Sequence, residues 1–208
     1  MILGIDEMHF YNFKEGSMLN KDVIDLEAVK QETDKPATCA AIISIDHNNK
    51  YYRQTGEFGQ RKHMILTGHR DGFVFLWKYD RFLEKLVKYP AKVTCIAQVQ
   101  EEIAIATAKG IIFIWAANLA STLKKVLLQT LPFRIVSQNV VSMDANGKNL
   151  LLCTAAGDII ELTLRGKDQE VRSKKYPAIS KLSGKTRSMC ILNQTDRMIM
   201  LGSDSGIV

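Results

Sequence analysis

A glycine-bearing turn between two short apolar strands is written four times in this chain, and that repetition narrows the possible folds more than any other feature. The copies read Asp71-Gly72-Phe73-Val74-Phe75-Leu76-Trp77, Lys109-Gly110-Ile111-Ile112-Phe113-Ile114-Trp115, Gly157-Asp158-Ile159-Ile160-Glu161-Leu162 and Ser205-Gly206-Ile207-Val208. Before each glycine runs a second apolar strand: Met64 to Thr67, Ile103 to Thr107, Leu150 to Thr154 and Met198 to Gly202. Each copy therefore reads as a β-hairpin. The turn glycines fall 38, 47 and 49 residues apart, near the period of propeller blades and too long for a solenoid of single strands.

The segments between the hairpins supply the other strands of each blade. Short inner strands are expected at Val93 to Ala97, Val140 to Met143 and Ser188 to Leu192, each followed by a polar turn: Gln100-Glu101-Glu102, Asp144 to Asn149, and Asn193 to Asp196. The second of these turns carries Asn-Gly, a strong turn signal. More polar outer strands are expected at Phe82 to Tyr89, Thr122 to Gln129 and Gln169 to Lys175, as suits an edge facing solvent. Upstream, Thr38 to Ile45 reads as the inner strand of the Trp77 blade, with a polar insertion at about 51–63 before its second strand. Residues 1–4 and 8–13 read as another hairpin, and the acidic segment at about 14–36 as an edge strand, Val23 to Leu26, within a loop.

The expected fold is thus an all-β β-propeller, incomplete, with about three whole blades and two partial blades of four antiparallel strands, and the resemblance given below implies the WD type. Residues 1–208 then form part of one propeller domain. Seven blades would need about 300 residues, so a chain of 208 is expected to be a piece of a longer polypeptide. A blade packs both faces against its neighbours, which is why the central strands read almost continuously apolar. A few blades are accordingly expected to need the rest of the ring, or a partner, for stability.

Composition excludes some classes and leaves others. No stretch approaches the roughly 20 apolar residues of a membrane helix, since Ile103 to Ala117 is interrupted by Lys109-Gly110. Cys39, Cys95, Cys153 and Cys190 stand far apart, three of them inside apolar strands, as small buried hydrophobes in a reducing, cytoplasmic compartment would. Charge is unevenly placed. Residues 1–36 hold eight acids against four lysines, whereas residues 165–187 hold eight bases against Asp168 and Glu170.

At Gly72 to Trp77 and Gly110 to Trp115 the chain resembles WD-repeat blades, in which a loop Asp, a strand Ser or Thr, a Trp and a Gly-His share a hydrogen-bond network. Asp71 and Trp77 match that pattern, while Lys109 and Leu162 replace the Asp and the Trp in later copies, and no Gly-His precedes the inner strands. The structural blade residues are therefore Asp71, Gly72, Trp77, Gly110, Trp115, Gly157 and Gly206. Three stretches, Gly4 through His9 to Phe13, Thr67 to Trp77, and Asn139 through Met143 to Leu162, resemble the echinoderm microtubule-associated protein-like family. That resemblance implies protein partners, tubulin or axonemal proteins, and a cytoskeletal or ciliary location.

Stretches that resemble catalytic motifs each lack a residue the chemistry needs. Ser183-Gly184-Lys185-Thr186 ends like a phosphate-binding loop, but Ile179 stands where the first glycine belongs. Gly202-Ser203-Asp204-Ser205-Gly206 resembles a nucleophile elbow only until its centre, which is Asp204. Glu101-Glu102 are neighbours on a turn and point apart. His9, His47, His63 and His69 have no Cys or acid at ligand spacing. No cofactor, metal or enzymatic activity is expected. The stretch from Arg165 to Arg187 is the one surface feature with functional content, with Lys174, Lys175, Lys181, Lys185 and Arg187 as candidate contacts to a polyanion. Tyr176 is its only aromatic, which disfavours single-stranded nucleic acid and favours an acidic protein lattice such as tubulin.

Overall fold

The computed structural model describes residues 2–3, 7–14, 17–45, 62–78, 81–116, 119, 122–131, 138–164, 172–176, 184–193 and 198–206. They fold into five antiparallel meanders. Blade 1 consists of β4 (Ala37–Ile45), β5 (Lys62–His69), β6 (Phe73–Lys78) and β7 (Arg81–Lys88), paired in that order. Blade 2 repeats the plan with β8 (Val93–Val99), β9 (Glu102–Thr107), β10 (Ile111–Ala116) and β11 (Thr122–Leu127). In blade 3 the strands are β12 (Val140–Asn146), β13 (Asn149–Thr154), β14 (Ile159–Thr163) and β15 (Arg172–Tyr176). An N-terminal sheet of β1 (Ile2–Leu3), β2 (Glu7–Lys14) and β3 (Ser17–Asp25) precedes them, and a half-blade of β16 (Thr186–Asn193) and β17 (Met198–Ser203) follows. Inner strands β4, β8, β12 and β16 lie side by side. This is the open arc of an incomplete propeller.

Side-chain alternation along β5 and β6 shows how a blade serves two neighbours. Ile65, Phe75 and Trp77 pack toward Met8, Leu26 and Val29 of the N-terminal sheet and its trailing 3-10 turn. Met64, Leu66, Val74 and Leu76 point the other way, into the core shared with Ile96, Ile103 and Ile105 of blade 2. Blade 2 divides likewise, with Ile112 and Ile114 meeting Leu150, Leu152, Ile160 and Leu162 of blade 3. Leu151, Cys153 and Ile159 then meet Met189 and Leu201 of the half-blade. The interior is a series of separate wedge cores, each made by two sheets, so stability depends on nearest neighbours.

The backbone repeats more faithfully than the sequence. Each turn glycine donates its N–H to the carbonyl three residues back: Gly72 to His69, Gly110 to Thr107, Gly157 to Thr154 and Gly206 to Ser203. All four adopt positive φ, which fits glycine because it lacks a Cβ. The residue two before each glycine donates its N–H to the carbonyl just ahead of the inner strand: Arg70 to Pro36, Ala108 to Lys92, Ala155 to Asn139 and Asp204 to Lys185. Every inner strand also carries a register shift at its start, between Ala37 and Cys39, Val93 and Cys95, Val140 and Ser142, and Thr186 and Ser188. Such a bulge bends the strand locally where it begins. These turns and strand starts share one rim of the arc, here the turn face.

Several expected boundaries move. The expected turn Asp144 to Asn149 shrinks to Gly147-Lys148, because Asn146 pairs with Asn149 and Asp144 with Leu151 inside the ladder. Lys62 and His63, expected in the insertion, begin β5 by pairing with Ile45 and Ser44; residues 51–61 lie outside the described residues. In the acidic segment the edge strand is longer than Val23 to Leu26: it starts at Ser17, and Leu26 opens the 3-10 turn. Ile207-Val208, the last strand of the fourth copy, also lies outside the described residues.

Candidate functional site

A buried polar network sits in blade 1, at the top of the wedge core facing the N-terminal sheet. Trp77 Nε1 donates to Thr67 Oγ1 at 2.9 Å, and Thr67 Oγ1 lies 3.2 Å from His69 Nε2. His69 Nδ1 lies 3.0 Å from the Lys35 carbonyl. A carbonyl only accepts, so Nδ1 carries the proton and Nε2 accepts from the Thr67 hydroxyl. Proton donation thus runs in one direction from indole to hydroxyl to imidazole to backbone. Beside it, Asp71 accepts from Thr33 Oγ1 at 2.5 Å and from the Phe73 N–H at 3.4 Å. Burial lowers the pKa of His69, opposed by its bond to the Lys35 carbonyl and by the charge of Asp71. Since Trp77, Thr67 and His69 are all essentially buried, the network fastens the blade to the preceding loop and presents no reactive group to solvent.

Asp71 stands beside this network without a hydrogen bond to Trp77, and the sequence had marked Thr67 only as the start of a resembling stretch and His69 only as a histidine without ligand spacing. The signal was present in Thr67-Gly68-His69. The expected histidine is supplied from the end of β5, two residues after the threonine, and so no Gly-His ahead of an inner strand is needed.

Trp115 occupies the same place in blade 2, pairing with Ile103 as Trp77 pairs with Ile65. Ile105 stands where Thr67 stands in blade 1, so that position offers the indole no hydroxyl. Trp115 Nε1 instead donates to Tyr89 Oη at 2.8 Å. The Tyr89 ring stacks on Phe113 with centroids 4.1 Å apart, and burial pushes its hydroxyl up to about 12.

Blade 3 replaces aromatic networks with buried charge. Asp158, only 2% exposed, pairs with Lys175 at 2.6 Å. Glu161 accepts from Tyr176 Oη at 2.5 Å and Asn149 Nδ2 at 2.7 Å. A buried carboxylate persists only when paired or hydrogen-bonded in this way.

These contacts decide what the basic stretch offers. Lys175 is consumed by Asp158. Arg187 pairs with Asp204 at 3.0 Å, and the Lys185 N–H bonds the same carboxylate at 2.7 Å, with that N–H the main cause of its lowered pKa. Lys174 is exposed and its ammonium lies 4.7 Å from the Tyr176 ring centroid. The Lys185 side chain is exposed, and Lys181 lies outside the described residues. Gly184-Lys185-Thr186 leads into β16, and Asp204 sits on the Gly206 turn. Among the described residues, no three His, Cys, Asp or Glu side chains gather in a way that could hold a metal ion, and no helix is long and apolar enough to cross a membrane.

Comparison with solved structures identifies the fold. The designed protein Ika4 superposes with a TM-score of 0.58 at 12% identity, covering 91% of this chain and 96% of its own. The WD40 β-propeller domain of Doa1 gives 0.57 at 16% identity, covering 93% of this chain and 54% of its own. The β-propeller domain of Cps50 (Swd1) from Myceliophteria thermophila gives 0.53 at 12% identity, covering 82% and 50%. The chain has the WD40-type β-propeller fold and spans about half the length of those two propeller chains. No protein-family model and no curated protein sequence matches it.

Proposed function

We propose that this chain is part of a non-catalytic propeller that works by holding protein partners, and that its partner is the microtubule or an axonemal assembly. One observation carries this reading. Among the described residues the buried polar side chains are spent on fastening strands and turns, as in Trp77-Thr67-His69 and Asp158-Lys175, while the outer edge and the turn face carry exposed cations, Lys174 and Lys185 among them. Resemblance to the echinoderm microtubule-associated protein-like family favours tubulin over other acidic proteins, and it would place the protein on the cytoplasmic cytoskeleton or in an axoneme. Lys174, Lys181 and Lys185 would act as point charges toward acidic residues, with Arg187 adding what its pairing with Asp204 leaves.

The test is co-sedimentation of the full protein with microtubules. Lys174→Glu, Lys181→Glu and Lys185→Glu together are expected to abolish pelleting with an unchanged circular dichroism spectrum. Lys175 stays untouched, because a glutamate there would face buried Asp158 and break the blade. Unaltered pelleting of the triple variant at moderate salt would refute these lysines as the contacts; a wild type that never pellets would refute the microtubule reading and favour a scaffold for another multiprotein complex.

A further inference from the structure

The turn face carries a second cationic surface, over blades 1 and 2, built from residues scattered through the sequence. Arg70 lies on the Gly72 turn. Lys88 ends β7 opposite Phe73, just beyond that turn, and the Gly72 carbonyl accepts the N–H of the next residue, Tyr89. Lys92 closes the crossing to blade 2, its carbonyl accepting the Ala108 N–H, and Lys109 follows on the Gly110 turn. Backbone bonds thus tie two neighbouring turns and the crossing between them into one scaffold. All four side chains are exposed, and among the described residues none of them sits in an ion pair. Asp71, the one carboxylate on these two turns, accepts from the Thr33 hydroxyl and leaves the four cations in excess over it. At the opposite ends of the blade 2 strands stand Glu101 and Glu102, so the two rims of blade 2 differ in sign.

We propose that Arg70, Lys88, Lys92 and Lys109 form a docking surface for a carboxylate-rich polypeptide segment lying across the turns of blades 1 and 2. Each exposed cation acts over about a Debye length, ~8 Å at physiological salt, and several on one scaffold favour a partner that brings several anions at once. The chemistry favours carboxylates on a peptide over a nucleic acid. Three of the four cations are lysines, which act as point charges, and only Arg70 offers a planar fork for phosphate. Among the described residues of this surface a base would find no open ring to stack on: Phe73 is half-buried beneath Lys85 and Lys88, and Tyr89 is buried. This surface is separate from Lys174 and Lys185, and does not depend on the microtubule reading.

Fluorescence anisotropy with a labelled 20-residue poly-glutamate probe tests it on the full protein. Neutralising Arg70, Lys88, Lys92 and Lys109 to Gln is expected to weaken binding at least tenfold and to flatten its salt dependence. Lys78, Arg81, Lys148 and Arg172 stand at the other ends of their strands or turns, and changing those four to Gln removes the same net charge and should leave affinity within twofold. Exchanging Arg and Lys within the first quartet should restore binding. Equal weakening by both quartets would reduce the effect to net charge and overturn the proposal. So would absence of binding by the wild type, or displacement of the probe by poly-uridine more readily than by unlabelled poly-glutamate.

Discussion

Blades 1 and 2 share a turn, a strand register and a tryptophan at the same position, yet they anchor that tryptophan differently. Trp77 bonds inward, to a hydroxyl on its own blade, and through His69 reaches the loop before its inner strand. Trp115 bonds outward, to a tyrosine on the crossing that arrives from blade 1. In both, the segment that enters from the preceding sheet finishes the network. What is held constant is the backbone frame of turn, cross-bond and strand-start bulge, and the side chains that satisfy the indole are interchangeable within it. A buried indole N–H must find an acceptor, but nothing requires the same one.

The largest expected effect breaks the frame itself. A Cβ on Gly72 would overlap the Tyr89 carbonyl oxygen, and φ there is +94°. Gly72→Ala should therefore cost about 3 kcal/mol or more, since neither backbone segment can move without losing the Tyr89-to-Gly72 bond. Gly206, with φ +75° and nothing within 4 Å of such a Cβ, should lose only about 1 kcal/mol from the backbone conformation. Urea unfolding of the two variants separates steric from conformational cost, and equal losses would show that the crossing does not grip the turn.

Next come the tryptophans. Trp77→Phe removes a donor and several buried atoms from a site with no water access, and should cost about 2–3 kcal/mol. Trp115 is only half-buried, so Trp115→Phe should cost less, about 1 kcal/mol. Tyr89→Phe should come close to that second value because it takes away the same bond. Equal penalties for the two tryptophans would mean that the outward anchor is worth as much as the inward one.

Comparison of the blades also shows what could be read in the chain. Hairpins, their glycines and the outer strands were legible because turn chemistry and apolar runs are local, and the three complete blades stand where those runs predicted them. The strand-start bulges were not legible, since they depend on how a strand meets its neighbouring blade. Polar partners were half legible: Asp71 and Trp77 carry a pattern, but Tyr89 lies 26 residues from Trp115 with no motif to connect them. The basic stretch illustrates the same limit. Composition counts Lys175 with Lys174, whereas pairing across β14 and β15 sends one to buried Asp158 and leaves the other on the surface.

The smallest effect, and the one that most sharpens the comparison, is a dependence on pH that blade 1 should have and blade 2 should lack. His69 accepts the Thr67 hydroxyl at Nε2, so a second proton there would set an N–H against an oxygen already receiving the Trp77 indole. Its pKa is lowered in the folded chain, chiefly by burial, while the unfolded chain takes up the proton near pH 6.5. The unfolded state therefore binds more protons between the folded value and about 6.5. Stability should be full above that upper limit and decline as pH falls below it, by at most about 1.4 kcal/mol per unit. Thr107 occupies the position of His69 in blade 2 and cannot titrate. Urea midpoints at pH 7.5 and 5.5 should thus differ more for the wild type than for His69→Gln, which begins less stable but loses the slope. If both proteins show the same slope, the proton is being taken up elsewhere, and the chain from indole to backbone does not require a neutral imidazole.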